Sequence, residues 1–203
     1  MKAGILLCSL LLTALAVGCT SRGPIGAGDT AAAGAVEKVD WAALAGSWTG
    51  PGQYRVELVT FTDRRNGESQ LVRYDIQLAP GRLVMVAQTP LGVPLYQTTV
   101  SAGAVDTIYH VRQLEGLPVE QALADFVMAH WPIDTLAAAA AEAGYTMLQN
   151  EHARQLLDST GRLLVEIRPA PAGTGDLIEV IHHDIPLELS IRTIEGHASG
   201  LRP

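Results

Sequence analysis

The chain has 203 residues, a formal net charge of −7 and 48% hydrophobic residues. This length accommodates one domain of ordinary size and a sizeable core once a leader is removed. The acidic balance, with no run of Lys or Arg, argues against a nucleic-acid partner and against electrostatic docking on anionic lipid. Aromatic residues make up only 5%, which argues against an aromatic platform for nucleotides or sugars.

The N-terminal segment has the pattern of an export signal. Lys2 supplies a positive charge, and residues 3–18 form an apolar stretch interrupted by Gly, Ser and Thr. The stretch is shorter than the ~20 residues that a membrane-spanning helix needs. We therefore predict that residues 1–18 are a cleaved signal peptide.

The cysteine that follows this stretch indicates how the chain is anchored. The other cysteine, Cys8, lies in the leader, so the mature chain has one cysteine and cannot form an internal disulfide. The sequence LAVGC at residues 15–19 resembles a bacterial lipobox, which implies cleavage after Gly18 and a diacylglyceryl thioether on Cys19. The alternative is an ordinary signal peptide, with Cys19 incidental. Acyl chains contribute about 0.8 kcal/mol per buried CH₂, so two or three of them anchor a protein stably.

A tether separates the anchor from the fold. Residues 20–39 are rich in Gly, Ala, Ser and Thr without a hydrophobic period, and a flexible segment of this length reaches about 25 Å. The residue after the cysteine is Thr20; by resemblance to enterobacterial sorting rules, a residue other than Asp here implies transit to the outer membrane. Residues 40–203 are predicted to form a single domain that faces the periplasm.

The first half of this domain predicts a meander. Asp40 is placed as the N-cap of a short helix that ends at Gly46. An Asn-Gly pair and an Ala-Pro-Gly triplet mark tight turns between the apolar runs. About five strands are predicted, over residues 53–62, 70–78, 82–88, 95–100 and 105–111.

The hydrophobic period then becomes helical. Val119, Leu123 and Phe126 recur at helical spacing until Pro132 breaks the pattern, and residues 133–144 predict a second short helix. Strand patterns return over residues 145–150, 153–158, 162–169, 176–185 and 187–194. The prediction is an α+β fold, a curved antiparallel half-barrel of about ten strands capped by a short helical lid.

Polar clusters give weak indications of chemistry. The His-His-Asp sequence at 182–184 could supply metal ligands, but zinc needs three converging ligands and no second histidine lies at a metal-binding spacing. We interpret it as a strand end with solvated polar residues. The chain contains no G-x-S-x-G sequence, and Glu179 with Glu188 fits a solvated strand face. We predict a protein that is not an enzyme, with no catalytic residues, metal or cofactor.

Apolar residues are more informative. Leu91 lies between Pro90 and Gly92 at a predicted loop tip, where an exposed leucine indicates contact with lipid or a partner. The alternative is a leucine that folds back onto the sheet. The two helices are likewise either ordinary core cover or a movable lid over a hydrophobic hollow.

The sequences PLGVPL, LADFVMAHWP and HHDIPLELSIRTI, with the strand pair at 154–167, resemble the DUF3261 family of proteobacterial lipoproteins. The stretch from PLGVPL into the helix is also similar to the outer-membrane lipoprotein receptor of the Lol pathway. The resemblance covers residues 45–195 and implies a LolA/LolB-like half-barrel whose hydrophobic cavity takes acyl chains. It makes Leu91 the membrane-contact residue, and the candidate cavity residues are Leu83, Met85, Phe126 and Trp131. Family members often lie beside acyl-carrier and ketosynthase genes of aryl-polyene-type pathways, which implies handling of a lipid product.

Three hypotheses follow from these patterns. The first is an outer-membrane lipoprotein that holds a lipid or acyl ligand and assists its transport or insertion. The second is a non-catalytic subunit that docks another envelope protein. The third is a periplasmic hydrolase that uses His182 and Asp184.

Overall fold

Ten antiparallel strands form one continuous sheet in the computed structural model, which describes residues 38–114, 119–169 and 176–198. The first meander comprises β1 (Gln53–Asp63), β2 (Glu68–Ala79), β3 (Arg82–Gln88), β4 (Pro94–Ser101) and β5 (Ala104–Tyr109). The second comprises β6 (Thr146–Gln149), β7 (Arg154–Leu157), β8 (Leu163–Pro169), β9 (Leu177–His182) and β10 (Leu187–Ala198).

The first and last strands join these two meanders at the centre of the sheet. The strand order is β5-β4-β3-β2-β1-β10-β9-β8-β7-β6, and β1 pairs with β10 from Gln53↔Ala198 to Asp63↔Leu187. β5 and β6 are therefore the two edges, and the sheet is open. The α+β prediction with about ten antiparallel strands is confirmed.

In the described ranges, three α-helices accompany the sheet: α1 (Trp41–Gly46), α2 (Val119–His130) and α3 (Ile133–Glu142). α1 begins where predicted, because the Asp40 side chain accepts a hydrogen bond from the Ala43 amide. α2 and α3 are separate helices because Pro132 lies between them and is the N-cap of α3. No helix in the described ranges is both long enough and apolar enough to cross a membrane.

The helices cover one face of the sheet. α1 packs on β3, β4 and β5 and against α2, while α2 contacts β9 and α3 contacts β6. Buried side chains alternate along β2 (Tyr74, Ile76, Leu78) and β3 (Leu83, Met85, Ala87), as expected for strands with one covered face. With the buried faces of the helices they form one hydrophobic cluster. Each fully buried large side chain contributes about 1.5–3 kcal/mol.

β1 departs from the simple alternation of buried and exposed residues that is typical of a strand with one covered face. Its register against β10 shifts between Val56 and Glu57, and both of these consecutive residues are buried. A bulge of this kind re-aims the side chains that follow it. Beyond the bulge, Glu57 and Val59 share the face that looks toward the helices, as lining residues of one cavity with Phe61.

Candidate functional site

A small cavity lies between α2 and the face of the sheet that the helices cover. Its volume is about 20 Å³. The walls come from β1, β2, β3, β10 and α2, and consist of Glu57, Val59, Phe61, Tyr74, Ile76, Met85, Ala122, Asp125, Phe126, Leu189 and Ile191. The site is therefore apolar apart from two carboxyl groups and one phenol.

The four predicted cavity residues are all buried, and they fall into two groups. Met85 and Phe126 are wall residues, whereas Leu83 and Trp131 lie in the core cluster outside the present wall. Trp131 instead fixes the helices to each other. Its Nε1 donates a hydrogen bond to the Leu44 carbonyl at 3.1 Å.

The cavity volume limits the size of the group that the site can hold in this structure. About 10–15 Å³ suffices for one water molecule, so a volume of about 20 Å³ accommodates a single water or hydroxyl group. Sites for drug-sized ligands occupy about 300–1,000 Å³. The protein's own side chains fill the predicted hollow, and the space between α2 and the sheet is too small for an acyl chain in this structure.

One buried acid–base pair joins α2 to β9. Nε2 of His182 lies 3.1 Å from Oδ1 of Asp125, and both side chains are almost completely buried. The same carboxylate accepts a hydrogen bond from Gln121 Nε2 at 2.9 Å. Oδ2 of Asp125 has no hydrogen-bond partner among the described residues.

A second buried pair joins the end of α2 to β1. Nε2 of His130 lies 2.9 Å from Oε1 of Glu57, and Arg55 Nε lies 3.2 Å from the same oxygen. In neither this pair nor the Asp125–His182 pair is the imidazole N–H aligned as a hydrogen bond. Both are close contacts between an imidazole and a carboxyl group that join α2 to the sheet, and removing one partner of a buried pair is strongly destabilising.

Burial and neighbouring charge act in opposite directions on His182. Desolvation lowers the pKa of its imidazole, but the adjacent Asp125 carboxylate outweighs it and the pKa is raised. Burial raises the pKa of Tyr74 well above the ordinary value for a phenol. The Tyr74 hydroxyl hydrogen-bonds the Tyr96 hydroxyl at 2.9 Å, so the phenol of the cavity wall is neutral and already paired.

The expectation that residues 182–184 form a solvated strand end is wrong for His182. Its side chain is completely buried under α2, whereas His183 is partly exposed and its Nε2 lies 3.9 Å from Glu166 Oε2. The partner of His182 was missed because Asp125 lies in a distant helix. An acidic residue inside the apolar sequence ADFVMA was the available signal. With no exposed surface, His182 meets no substrate in this conformation.

A basic residue of the sheet caps the C-terminal end of α2. Nη1 of Arg154, on β7, lies 3.1 Å from the Met128 carbonyl, 3.4 Å from the Ala129 carbonyl and 2.8 Å from the Trp131 carbonyl. Carbonyl groups at a helix C-terminus lack partners within the helix, and a cation favours this end of the dipole. Arg154 thus holds the C-terminal end of α2 against the sheet.

The predicted loop tip between β3 and β4 projects from the sheet. Gly92 has a positive φ of 83° and donates to the Thr89 carbonyl at 2.8 Å, which makes the turn tight. Leu91 is 93% exposed and Val93 is 54% exposed. The leucine does not fold back onto the sheet.

A larger and more open groove, of about 360 Å³, lies between α1 and α3. Lys38, Asp40 and Glu142 line it together with small residues. Its walls are exposed helix surface without a buried polar group.

Three further predictions concern a metal site, the Glu179 and Glu188 pair, and the lipidated N-terminus. In the described ranges, no group of three or more His, Cys, Asp or Glu side chains could hold a metal ion. Glu179 and Glu188 lie on neighbouring strands, where Ser190 and Ile181 are their respective partners in register. Gly18 and Cys19 lie outside the described residues.

Comparison with known proteins gives one family and several structural likenesses. The model of the family "Protein of unknown function (DUF3261)" matches residues 55–195. No curated protein matches the chain.

Among solved structures, a DUF1329 family protein from Desulfovibrio piger is 9% identical with a TM-score of 0.47, covering 82% of this chain and 94% of that one. A LolA superfamily protein from Nitrosomonas europaea is 9% identical with a TM-score of 0.44 and the same coverages, 82% and 94%. A putative outer membrane lipoprotein-sorting protein domain from Vibrio parahaemolyticus is 10% identical with a TM-score of 0.42, covering 83% and 95%.

Proposed function

This chain belongs to the DUF3261 family, and from the geometry of its site we propose that it is a lipid-binding protein of the bacterial envelope. In this proposal, an acyl or lipid ligand enters between α2 and the covered face of the sheet. The protein assists transport or insertion of that ligand and carries out no reaction on it.

The layer between α2 and the sheet is the observation that carries the proposal. Its wall is apolar over nine of eleven side chains, counting Tyr74 with the apolar ones. A helix that only completed a core would need apolar contacts alone. α2 is held in addition by buried acid–base contacts to Glu57 and His182, on strands either side of β10. A movement of α2 away from the sheet would separate both pairs, so the contacts define a closed position for the helix.

The energetics of acyl binding favour such a movement. Each CH₂ that leaves water contributes about 0.8 kcal/mol, so a dozen of them offer about 10 kcal/mol before the cost of binding. Part of this free energy would separate α2 from the sheet, and the remainder would appear as affinity. The proposal requires that the binding free energy of the ligand in the open state exceed the free energy by which the contacts of α2 stabilise the closed state.

The membrane attachment is proposed from the sequence and from one loop. Acylation of Cys19 would hold the domain at the periplasmic face of the outer membrane, within reach of the tether at residues 20–39. Leu91, exposed at the β3–β4 tip, would enter the lipid interface there. A link to aryl-polyene-type lipid synthesis belongs to this proposal through the family resemblance.

Native mass spectrometry of the unlipidated domain tests the proposed function. The domain is produced in a bacterial host and exposed to a bacterial lipid extract. We expect bound species whose mass equals one acyl-containing lipid. Ala122→Trp fills the cavity wall and should abolish uptake, while Ala104→Trp, on the exposed edge strand β5, should leave it unchanged. Absence of lipid from the wild-type chain, with α2 protected from hydrogen exchange throughout, would contradict the proposal.

A further inference from the structure

Asp125 places an unsatisfied carboxylate oxygen in the wall of the cavity. Its Oδ1 contacts His182 and Gln121, whereas Oδ2 has no hydrogen-bond partner in the part of the chain that the structure describes. Asp125 is 1% exposed, so bulk water does not reach this oxygen. Buried polar atoms in native proteins are almost always paired, and an unpaired one is costly. The oxygen therefore needs a donor from within the cavity.

The rest of the wall offers no such donor. Oε1 of Glu57 is a second buried acceptor without an aligned hydrogen bond among the described residues. The hydroxyl of Tyr74 already pairs with Tyr96. The remaining wall residues are apolar, and the residues that line the cavity include no Lys or Arg.

The local charge selects among possible donors. A carboxylate or phosphate would face two buried carboxylates, and like charges at close range in a desolvated site repel strongly. Arg55 and the imidazoles of His182 and His130 already lie against those carboxylates, so an ammonium group would find no unopposed negative charge to pair with. An uncharged group with an O–H donor meets neither penalty.

We infer that the ligand of this site is an apolar chain that carries a hydroxyl group, which donates a hydrogen bond to Asp125 Oδ2. The inference rests on the proposed lipid-binding function and deepens it by naming the polar end of the ligand. The cavity volume of about 20 Å³ matches one hydroxyl group or water molecule. The chain itself would lie along Met85 and Phe126 in the space that opens when α2 moves.

Four ligands with the same chain length separate hydrogen bonding from charge: dodecanol, methyl dodecanoate, dodecanoate and dodecylammonium. Their affinities are measured by displacement of phenylnaphthylamine from the unlipidated wild-type chain. We expect dodecanol to bind about ten-fold tighter than the methyl ester, which is neutral but has no donor, and tighter still than dodecanoate. Dodecylammonium should also bind less tightly than dodecanol.

Variants locate the hydroxyl group. Asp125→Asn removes the nearer of the two wall charges and leaves Glu57, so the discrimination against dodecanoate should fall at least about three-fold. Asp106→Asn makes the same change on the exposed edge strand and should keep the wild-type preference. If Asp125→Asn does not fold, the wild-type order of the four affinities decides alone.

The outcomes separate the inference from the proposed function. A methyl ester or an ammonium that binds as tightly as the alcohol would overturn the inference and leave lipid binding intact. Equal binding of the ester would mean that a water molecule satisfies Asp125. Failure of all four ligands to displace the probe would count against the proposed function itself.

Discussion

The imidazole of His182 and the carboxylate of Asp125 lie 3.1 Å apart in the interior of the protein, the first on β9 and the second on α2. The contact spans the space between helix and sheet, so any movement of α2 must break it. The state of this pair is therefore coupled to the opening of the site.

The raised pKa of His182 predicts a dependence of stability on pH. A histidine whose pKa is higher in the folded than in the unfolded state stabilises the fold below the unfolded value, near 6.5. That contribution is lost as the pH rises through the folded value. We expect the free energy of unfolding to fall on going from about pH 6 to about pH 9, with a slope of up to about 1.4 kcal/mol per pH unit for this group.

Thermal and urea unfolding of the wild-type chain and of His182→Gln across this pH range measure the effect. The glutamine variant should lose most of the dependence. His152→Gln replaces an exposed histidine and should follow the wild-type curve. If the pH dependence of stability persists in His182→Gln, titrating groups other than His182 cause it.

Arg154 is predicted to hold α2 in the closed position. Arg154→Met keeps most of the aliphatic stem and removes the hydrogen bonds to three carbonyls at the end of α2. We expect a loss of about 2 kcal/mol in the free energy of unfolding, the range for hydrogen bonds to a charged donor. Amide exchange in α2 should accelerate more than exchange in β2 and β3. Arg82→Met on the exposed end of β3 is the matched control, and an equal effect of both variants would contradict a specific role for Arg154.

Trp131 is predicted to be a major contributor to stability. Trp131→Phe removes the hydrogen bond to the Leu44 carbonyl and should cost about 1–2 kcal/mol, whereas Trp131→Ala should cost about 3–5 kcal/mol. The control is Trp48→Phe, which also loses an indole hydrogen bond, from Nε1 to the nearby Pro51 carbonyl. For Trp48→Phe, chemical denaturation should show a loss of less than about 1 kcal/mol in the free energy of unfolding, since that side chain is only partly buried.

Leu91 is predicted to act at a membrane without contributing to the fold. Leu91→Glu should change the free energy of unfolding by less than about 0.5 kcal/mol. Binding of the unlipidated domain to phospholipid vesicles should weaken about ten-fold, because a buried leucine contributes about 1.5–3 kcal/mol. Cosedimentation measures this, with Ile194→Glu as a control at another exposed apolar position. Equal loss with both variants would indicate a general response to added charge.

The elements of the fold were predictable from local patterns. Turn sequences with Gly67 and Gly81, both at positive φ, separate the first three strands, and Pro132 separates the two helices. The bulge at Val56 and Glu57 was not predictable, because a bulge is a property of two paired strands and the pattern of one strand does not contain it.

The candidate site was predictable only in part. The burial of Met85 and Phe126 follows from strand and helix periods. The Pro-Leu-Gly context of Leu91 indicated a loop tip but left open whether the side chain is exposed or folds back onto the sheet. The acid–base pairs depend on contacts between residues far apart in sequence, and a single sequence gives no pairing information for His182. Asp125 was visible as a polar residue on an apolar helix face, but its partner was not.

The central pairing of β1 with β10 also has a consequence for the order of folding. Each meander consists of neighbours in sequence and can form by local closure, whereas the β1–β10 ladder joins residues such as Gln53 and Ala198 across the whole fold. Contacts of this separation form late, since loop closure must precede them. Leu189 and Ile191 of β10 belong to the cavity wall, so no binding site exists until that last ladder closes. If the chain is exported N-terminus first, as the proposed signal peptide implies, loading with ligand would follow the translocation of β10.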